Sequence, residues 1–414
     1  MSAIDLPLNA PAVPANPATL ERSLSLRAIT LFGLAYLAPI IVLGTFGVLA
    51  QASAGTTASA YLLSMAVMLF TAYSYGKMAK TYPVAGSAYT YTRRSIGANI
   101  GFLVGWAILL DYFFIPMVIW LIGAAFLSAA FPTIPSWVWI VAFIVLTSAL
   151  NVVGIKLAAS VNSLLMIFQL LVLAFFVIFS VHYVMSGGGA IFSAAPWFNS
   201  ATTLAGVAGG AALAAYSFLG FDAVTTLTEE TVDAGNTIPK AIMLIILIGG
   251  GLFVLTAYTT QLVHPGSVFK DVDSAALDIA KTIGAQLFAS IFLAGLIVAQ
   301  FTAGLSAQAA VSRLLYAMGR DAVLPKRIFG YISPRFRTPV INVLLAGVTG
   351  LIALGLTVAT STSFINFGAF TAFTFVNLSV IALYLKGGRQ GGSMRALTDL
   401  VAPAIGAVAC FWLL

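Results

Sequence analysis

The chain has 414 residues, 61% of them hydrophobic and 7% charged, with a formal net charge of +7. Soluble domains carry about a quarter charged residues, so polar side chains are too few here to cover a water-facing surface. That excludes a soluble enzyme, a nucleic-acid binder and a disordered scaffold. The apolar residues fall in repeated runs of about twenty or more, the length that crosses a bilayer's hydrocarbon core as helix. The sequence reads as an all-α polytopic membrane protein.

Residues 1–25 read as a Pro/Ala-rich tail. Ten complete spans follow, near 26–50, 57–81, 97–128, 136–155, 157–182, 203–231, 238–263, 284–317, 339–358 and 362–385. An eleventh begins near Asp399 and has about sixteen residues by Leu414, short of an upright crossing. Lys and Arg resist translocation and mark the cytoplasmic side. With the N-terminus inside, 17 of the 19 basic residues fall on cytoplasmic flanks. The other two, Lys270 and Lys281, share a loop with Asp271, Asp273 and Asp278. The reading is an inner (plasma) membrane protein with a cytoplasmic N-terminus. The single cysteine, Cys410, rules out an intrachain disulfide and makes a metal cluster implausible, and nothing calls for a cofactor. His182 and His264 fall in expected loops.

The first span reads GLAYLAPI over Gly33–Ile40, and the sixth reads AYSFLGFDA over Ala215–Ala223. Pro39 has no amide to donate, and Gly220 tolerates non-helical angles. Freed backbone groups at mid-membrane cost several kcal/mol unless they line a wet or liganded cavity. Spans 1 and 6 open two successive five-helix halves, 26–182 and 203–385, with 386–414 as a loop and partial span. Matching interruptions in two halves point to a transporter's central site, with Gly33, Pro39 and Gly220 as hinge positions.

Asp111 sits within Gly101–Phe131, a stretch with no other charge, and Asp222 follows the Gly220 break. A lone mid-membrane carboxylate costs at least about 2.5 kcal/mol and normally faces a cavity or a partner. Neither acid has a basic residue at its expected depth, so a cationic substrate or a bound proton is the expected partner. Glu229 and Glu230 lie near the cytoplasmic interface, where pairing with Arg or Lys is the simpler reading. Tyr36, Tyr112, Tyr216, Phe218 and Phe221 cluster at the level of the acids and offer faces to an organic cation. A substrate carboxylate needs free amides at a half-helix N-terminus. The stretch Tyr36-Leu37-Ala38-Pro39 lacks a donor at Pro39 and has no glycine cluster, which favours an amine without a carboxylate.

At these residues the sequence resembles the amino acid–polyamine–organocation (APC) superfamily, and within it most resembles bacterial putrescine importers. The matching stretches are YPVAGSAYTYTRRSIG (82–97), GFLVGWAILLDY (101–112), SFLGFDAVTTLTEET (217–231), IPKA (238–241), SRLLYAMGRDAVLP (312–325) and FINFGAFTAFTFVNLSV (364–380). The resemblance implies a five-plus-five inverted-repeat fold of LeuT type, with alternating access around spans 1, 3, 6, 8 and 10. It places Asp222 beside the substrate, Tyr216 or Phe218 at an aromatic gate, and Asp111 with Tyr112 on span 3. Some proton-coupled relatives carry a lysine within span 5, where Gln169 stands here, and relatives usually have twelve spans.

The expected function is import of a small cationic amine, with substrate-binding residues Tyr36, Ala38, Asp111, Tyr112, Tyr216, Phe218, Gly220, Phe221 and Asp222. Glu229 and Glu230 are expected to gate or to pair. Thr302 and Ser306 could offer hydroxyls to sodium, but protons are favoured as the coupling ion, because mid-membrane carboxylates are ready carriers. The alternative within the class is an amino-acid transporter or exchanger, acting as a monomer or homodimer. A channel would need a continuous polar pore and an enzyme a catalytic constellation such as HExxH, a Walker loop or GxSxG. Neither pattern is present.

Overall fold

The computed structural model describes residues 22–131, 133–153, 155–269, 272, 275–356, 358–387 and 396–413. The tail residues 1–21, Lys270, Asp271, Asp273, Arg389 and Arg395 lie outside the described residues. Helix is the regular structure of the described residues, joined by turns and loops, with one isolated parallel bridge between Leu24 and Thr231. Among the described residues, nine helices are long and apolar enough to cross a membrane.

The expected first break is real and falls at Ala38. Helix α1 (Leu26–Leu37) ends there in the left-handed region, at φ 45°, and the chain resumes as α2 (Ile41–Gly44) and α3 (Phe46–Ala52). Pro39 is the cause: its ring disfavours right-handed helical angles in the residue before it. Next come α4 (Thr57–Thr81), the short α5 (Ser87–Ser95), α6 (Ala98–Ala130), α7 (Ser136–Val153) and α8 (Ile155–Ser186). The sixth span opens as α9 (Leu204–Ala215) and tightens into a 3-10 turn, Tyr216–Phe218. Leu219 is extended, Gly220 stands at φ 99°, and the span resumes as a 3-10 helix, Phe221–Glu230. Ten residues is long for this helix type, which rarely exceeds about four. Thr225, Thr226 and Thr228 each donate to the carbonyl three residues back, at 2.5–2.7 Å, which fits the tighter pitch.

Beyond it run α10 (Ala234–Val263), α11 (Ala275–Arg320), α12 (Lys326–Phe329), α13 (Val340–Thr349), α14 (Val358–Lys386) and α15 (Ala402–Leu413). The span expected from 284 begins at a kink inside α11, where Gly284 and Ala285 leave helical angles. The ninth expected span, 339–358, is shorter than read: α13 passes into a 3-10 segment, Gly350–Gly355. A Cβ on Gly350 would stand 2.2 Å from the ring of Trp120, so the indole on α6 crowds that turn.

Helix α1 lies against α8, α10 and α11, and the 3-10 helix Phe221–Glu230 lies against α1, α4, α5, α10 and α11. Both broken spans are therefore central. Gly33 corrects the hinge expectation, because it sits inside α1 and away from the break. A Cβ there would fall 2.1 Å from Ile245 of α10, so its role is close helix packing. Gly33→Val should cost about 2 kcal/mol through overpacking and lower the melting temperature of the detergent-purified protein. Gly251→Ala is the control, since a Cβ there meets nothing within 4 Å; by helix propensity it should leave the melt unchanged or raise it.

Candidate functional site

The two breaks touch. A Cβ on Gly220 would lie 1.8 Å from the ring of Tyr36, so only glycine lets that ring lie across the second interruption. Ala38 closes α1 with its N–H on the carbonyls of Leu34, at 3.1 Å, and Ala35, at 3.3 Å. Asp222 enters the first turn of the 3-10 helix fully buried. Its Oδ2 accepts from the Tyr112 hydroxyl at 2.7 Å and from Ser87 Oγ at 3.3 Å, while Oδ1 has no partner. Asp111 is also fully buried, and among the described residues neither of its carboxylate oxygens has a hydrogen-bond partner.

The two carboxylates lie within electrostatic range of each other, and the Tyr36 hydroxyl, itself unpartnered, lies within range of both. A further contact fixes the level of Asp111. A Cβ on Gly368 of α14 would stand 2.3 Å from the Ala107 carbonyl and 2.7 Å from the Asp111 nitrogen. Helices α6 and α14 thus meet backbone to backbone at the acid. A cavity of about 40 Å3 adjoins the breaks, lined by Tyr36, Leu37, Ala38, Ile115, Tyr216, Leu219 and Gln300 among others.

The other expected residues divide by what they touch. Tyr216 stays on the cavity wall. Phe218 is turned from it and stands edge-on to Phe253 of α10, with ring centroids 5.1 Å apart. Phe221 packs between Tyr75 and Phe373, at 5.6 and 5.1 Å, in an aromatic box behind Asp222. Pro39 lies in the turn between α1 and α2. On α11, Thr302 donates to the Ala299 carbonyl at 2.9 Å and accepts from Gln169 Nε2 at 3.3 Å, and Ser306 is buried. Sequence reasoning missed Ser87, Gln300 and Gly368. Ser87 lies within the stretch 82–97 that carries the resemblance.

Glu229 and Glu230 both find arginines. Glu230 and Arg313 form a fully buried two-point pair, Nε to Oε1 at 2.6 Å and Nη2 to Oε2 at 3.3 Å. The Glu230 carbonyl also accepts the amides of Ser23 and Leu24, at 2.9 and 3.0 Å, which pins the segment ahead of α1. Glu229 pairs with Arg320, and its Oε1 accepts the Ala85 amide at 3.2 Å. Arg320 continues to Asp321 at 3.1 Å, which meets Arg93 at 3.1 Å and the Tyr89 hydroxyl at 3.3 Å. These contacts form a belt that joins α5, the 3-10 helix Phe221–Glu230 and the end of α11. Losing one partner of a buried ion pair costs about 3–5 kcal/mol, whereas exposed pairs are worth about 1 kcal/mol or less. Arg313→Met should therefore depress the melting temperature strongly. Arg320→Met, whose pair with Glu229 is 27% and 21% exposed, should depress it far less.

Comparison with known proteins agrees with this architecture. The Amino acid permease family pattern matches residues 29–412. The low-affinity putrescine importer PlaP of Escherichia coli K12 is 40% identical over 375 residues, covering 88% of this chain and 81% of PlaP. The branched-chain amino acid permease BcaP of Bacillus subtilis is 26% identical, over 96% of this chain and 88% of BcaP. Among solved structures, a Na+-coupled sialic acid symporter in a substrate-bound outward-open state superposes with TM-score 0.59 at 15% identity. It covers 95% of this chain and 89% of the symporter, a likeness of fold. With two spans interrupted at one centre and a family pattern running nearly end to end, the chain belongs to the amino acid permease family of multi-pass membrane transporters.

Proposed function

We propose that the chain imports a small aliphatic amine of the putrescine class by alternating access, coupled to protons, across the inner (plasma) membrane. In this reading the N-terminus is cytoplasmic, and the repeats 26–182 and 203–385 move against each other about the two breaks. One observation carries the proposal: two buried carboxylates share the centre, and among the described residues no Arg, Lys or His pairs with either. Burying carboxylates without a counter-charge is strongly unfavourable. An ammonium at each end of a short chain would neutralise both, with Tyr36 and Tyr216 beside the methylenes. The 40% identity to a protein named as a putrescine importer supports the same substrate class.

The alternative substrate is an amino acid, as the name of BcaP suggests. A substrate carboxylate would need free amides at the first break, where Pro39 has none and the Ile41 amide is spent on the Ala38 carbonyl at 2.8 Å, so two of the donors there are lost. That supports an amine. Thermal-shift titration should show stabilisation by putrescine and none by neutral amino acids; the reverse result would select the alternative. Asp222→Asn and Asp111→Asn should each weaken putrescine binding about tenfold or more, the loss of a hydrogen-bonded charge. Unchanged affinity in both variants would remove the carboxylate role.

The Thr302 hydroxyl is already engaged on both sides, by Ala299 and by Gln169. That supports protons over sodium, with Asp111 trading a proton for an ammonium. In vesicles, uptake should follow an imposed pH gradient in sodium-free buffer. Uptake that tracked sodium and ignored the pH gradient would overturn the coupling.

A further inference from the structure

The tripeptide Ala85-Gly86-Ser87 touches the 3-10 helix Phe221–Glu230 at both ends. The Ala85 amide holds Oε1 of Glu229, at the basic face, while Ser87 Oγ holds Oδ2 of Asp222, at the centre. Between them Gly86 stands at φ 121° and Ser87 at φ 47°. Left-handed angles in a residue with a Cβ cost about 1–2 kcal/mol, so contacts made by Ser87 must hold it there. Its hydroxyl is fully buried and also lies 3.4 Å from the Tyr112 hydroxyl, completing a triangle on one carboxylate oxygen. From Ser87 the chain runs directly into α5, whose Tyr89 and Arg93 complete the belt on Asp321. One nine-residue helix therefore links the central acid to the ion pairs that close the basic face.

We propose that Ser87 is a positioning residue that couples the engagement of Asp222 to the closure of that face. An approaching cation draws the Asp222 carboxylate and competes with the Ser87 hydroxyl for it. Once Ser87 is released, its left-handed turn relaxes, the Ala85 amide leaves Glu229, and α5 withdraws from Asp321. Substrate arrival and opening of the basic face become one event. The inference deepens the transport reading by naming the contact through which the central site commands its exit, and it rests on that reading only for the nature of the cation.

The test uses full-length protein with Cys410→Ser, which removes the single cysteine, and Thr228→Cys, a buried position beside Glu229, as a reporter. Maleimide labelling of the reporter then follows opening without any substrate. Ser87→Ala removes the hydroxyl and leaves the cost of the left-handed angle, whereas Ser87→Gly removes both the hydroxyl and that cost. Both should raise the labelling rate about tenfold, the loss of one hydrogen bond to a charged group. Maximal uptake should fall by a similar factor while the putrescine Kd stays within about threefold. A purely conformational role for Ser87 predicts that Ser87→Gly labels as slowly as the parent and transports as well; that result overturns the proposal. If the parent fails to bind putrescine but both variants still label faster, the coupling stands and the diamine reading falls.

Discussion

The structure is organised around two carboxylates that the protein itself leaves without a counter-charge. Elsewhere among the described residues acids find cations: Glu229 meets Arg320, Glu230 meets Arg313, Asp321 meets Arg93 and Asp399 meets Lys77. Among the buried acids of the described residues, Asp111 and Asp222 are the two without a cation beside them, whereas Glu230 and Asp399 each have one. The cost is offset in part at Asp222, by hydroxyls from Tyr112 and Ser87. At Asp111 no hydrogen bond from the described residues offsets it. Such uncompensated negative potential where helices are unwound is the feature on which the proposal of a cationic substrate rests.

The backbone devices that create this centre differ in kind. At the second break a glycine supplies the left-handed angle directly, and its missing side chain makes room for Tyr36. At the first, an alanine takes that angle because proline follows it, so the break lies one residue ahead of the residue that causes it. The two solutions meet through Tyr36 and Gly220. A substitution at either break is therefore felt at the other, a coupling set by packing alone.

Composition and run lengths were enough to read an all-helical membrane bundle, and Pro39 and Gly220 were enough to locate both interruptions. The errors have physical causes. Gly33 was legible as a glycine near a break, but its proximity to Ile245 is a tertiary contact that local pattern does not carry. Phe218 and Phe221 were placed with the substrate because they lie beside the Gly220 break at the level of the acids. Depth alone does not set direction: extended Leu219 and left-handed Gly220 stand between the two residues, and the rings pack on Phe253 and on Tyr75 and Phe373. Ser87 was invisible as a site residue because its meaning comes from Asp222, 135 positions away. The ninth span was read long because the bulk of Trp120, which crowds its turn, comes from another helix.

The acids at the basic face show why neighbouring residues of identical chemistry need separate accounts. Glu230 and Arg313 are dry, hold each other at two points, and carry the segment ahead of α1 on the Glu230 carbonyl. Parting them would strand a charge in the interior at about 3–5 kcal/mol. Glu229, Arg320, Asp321 and Arg93 are all partly exposed, and water can replace each contact at about 1 kcal/mol or less. Breaking the outer belt therefore costs little, and breaking the inner pair costs much. The inner pair ties the end of the 3-10 helix to α11 without water, whereas the outer belt ties it to α5 and the end of α11 through contacts that water reaches.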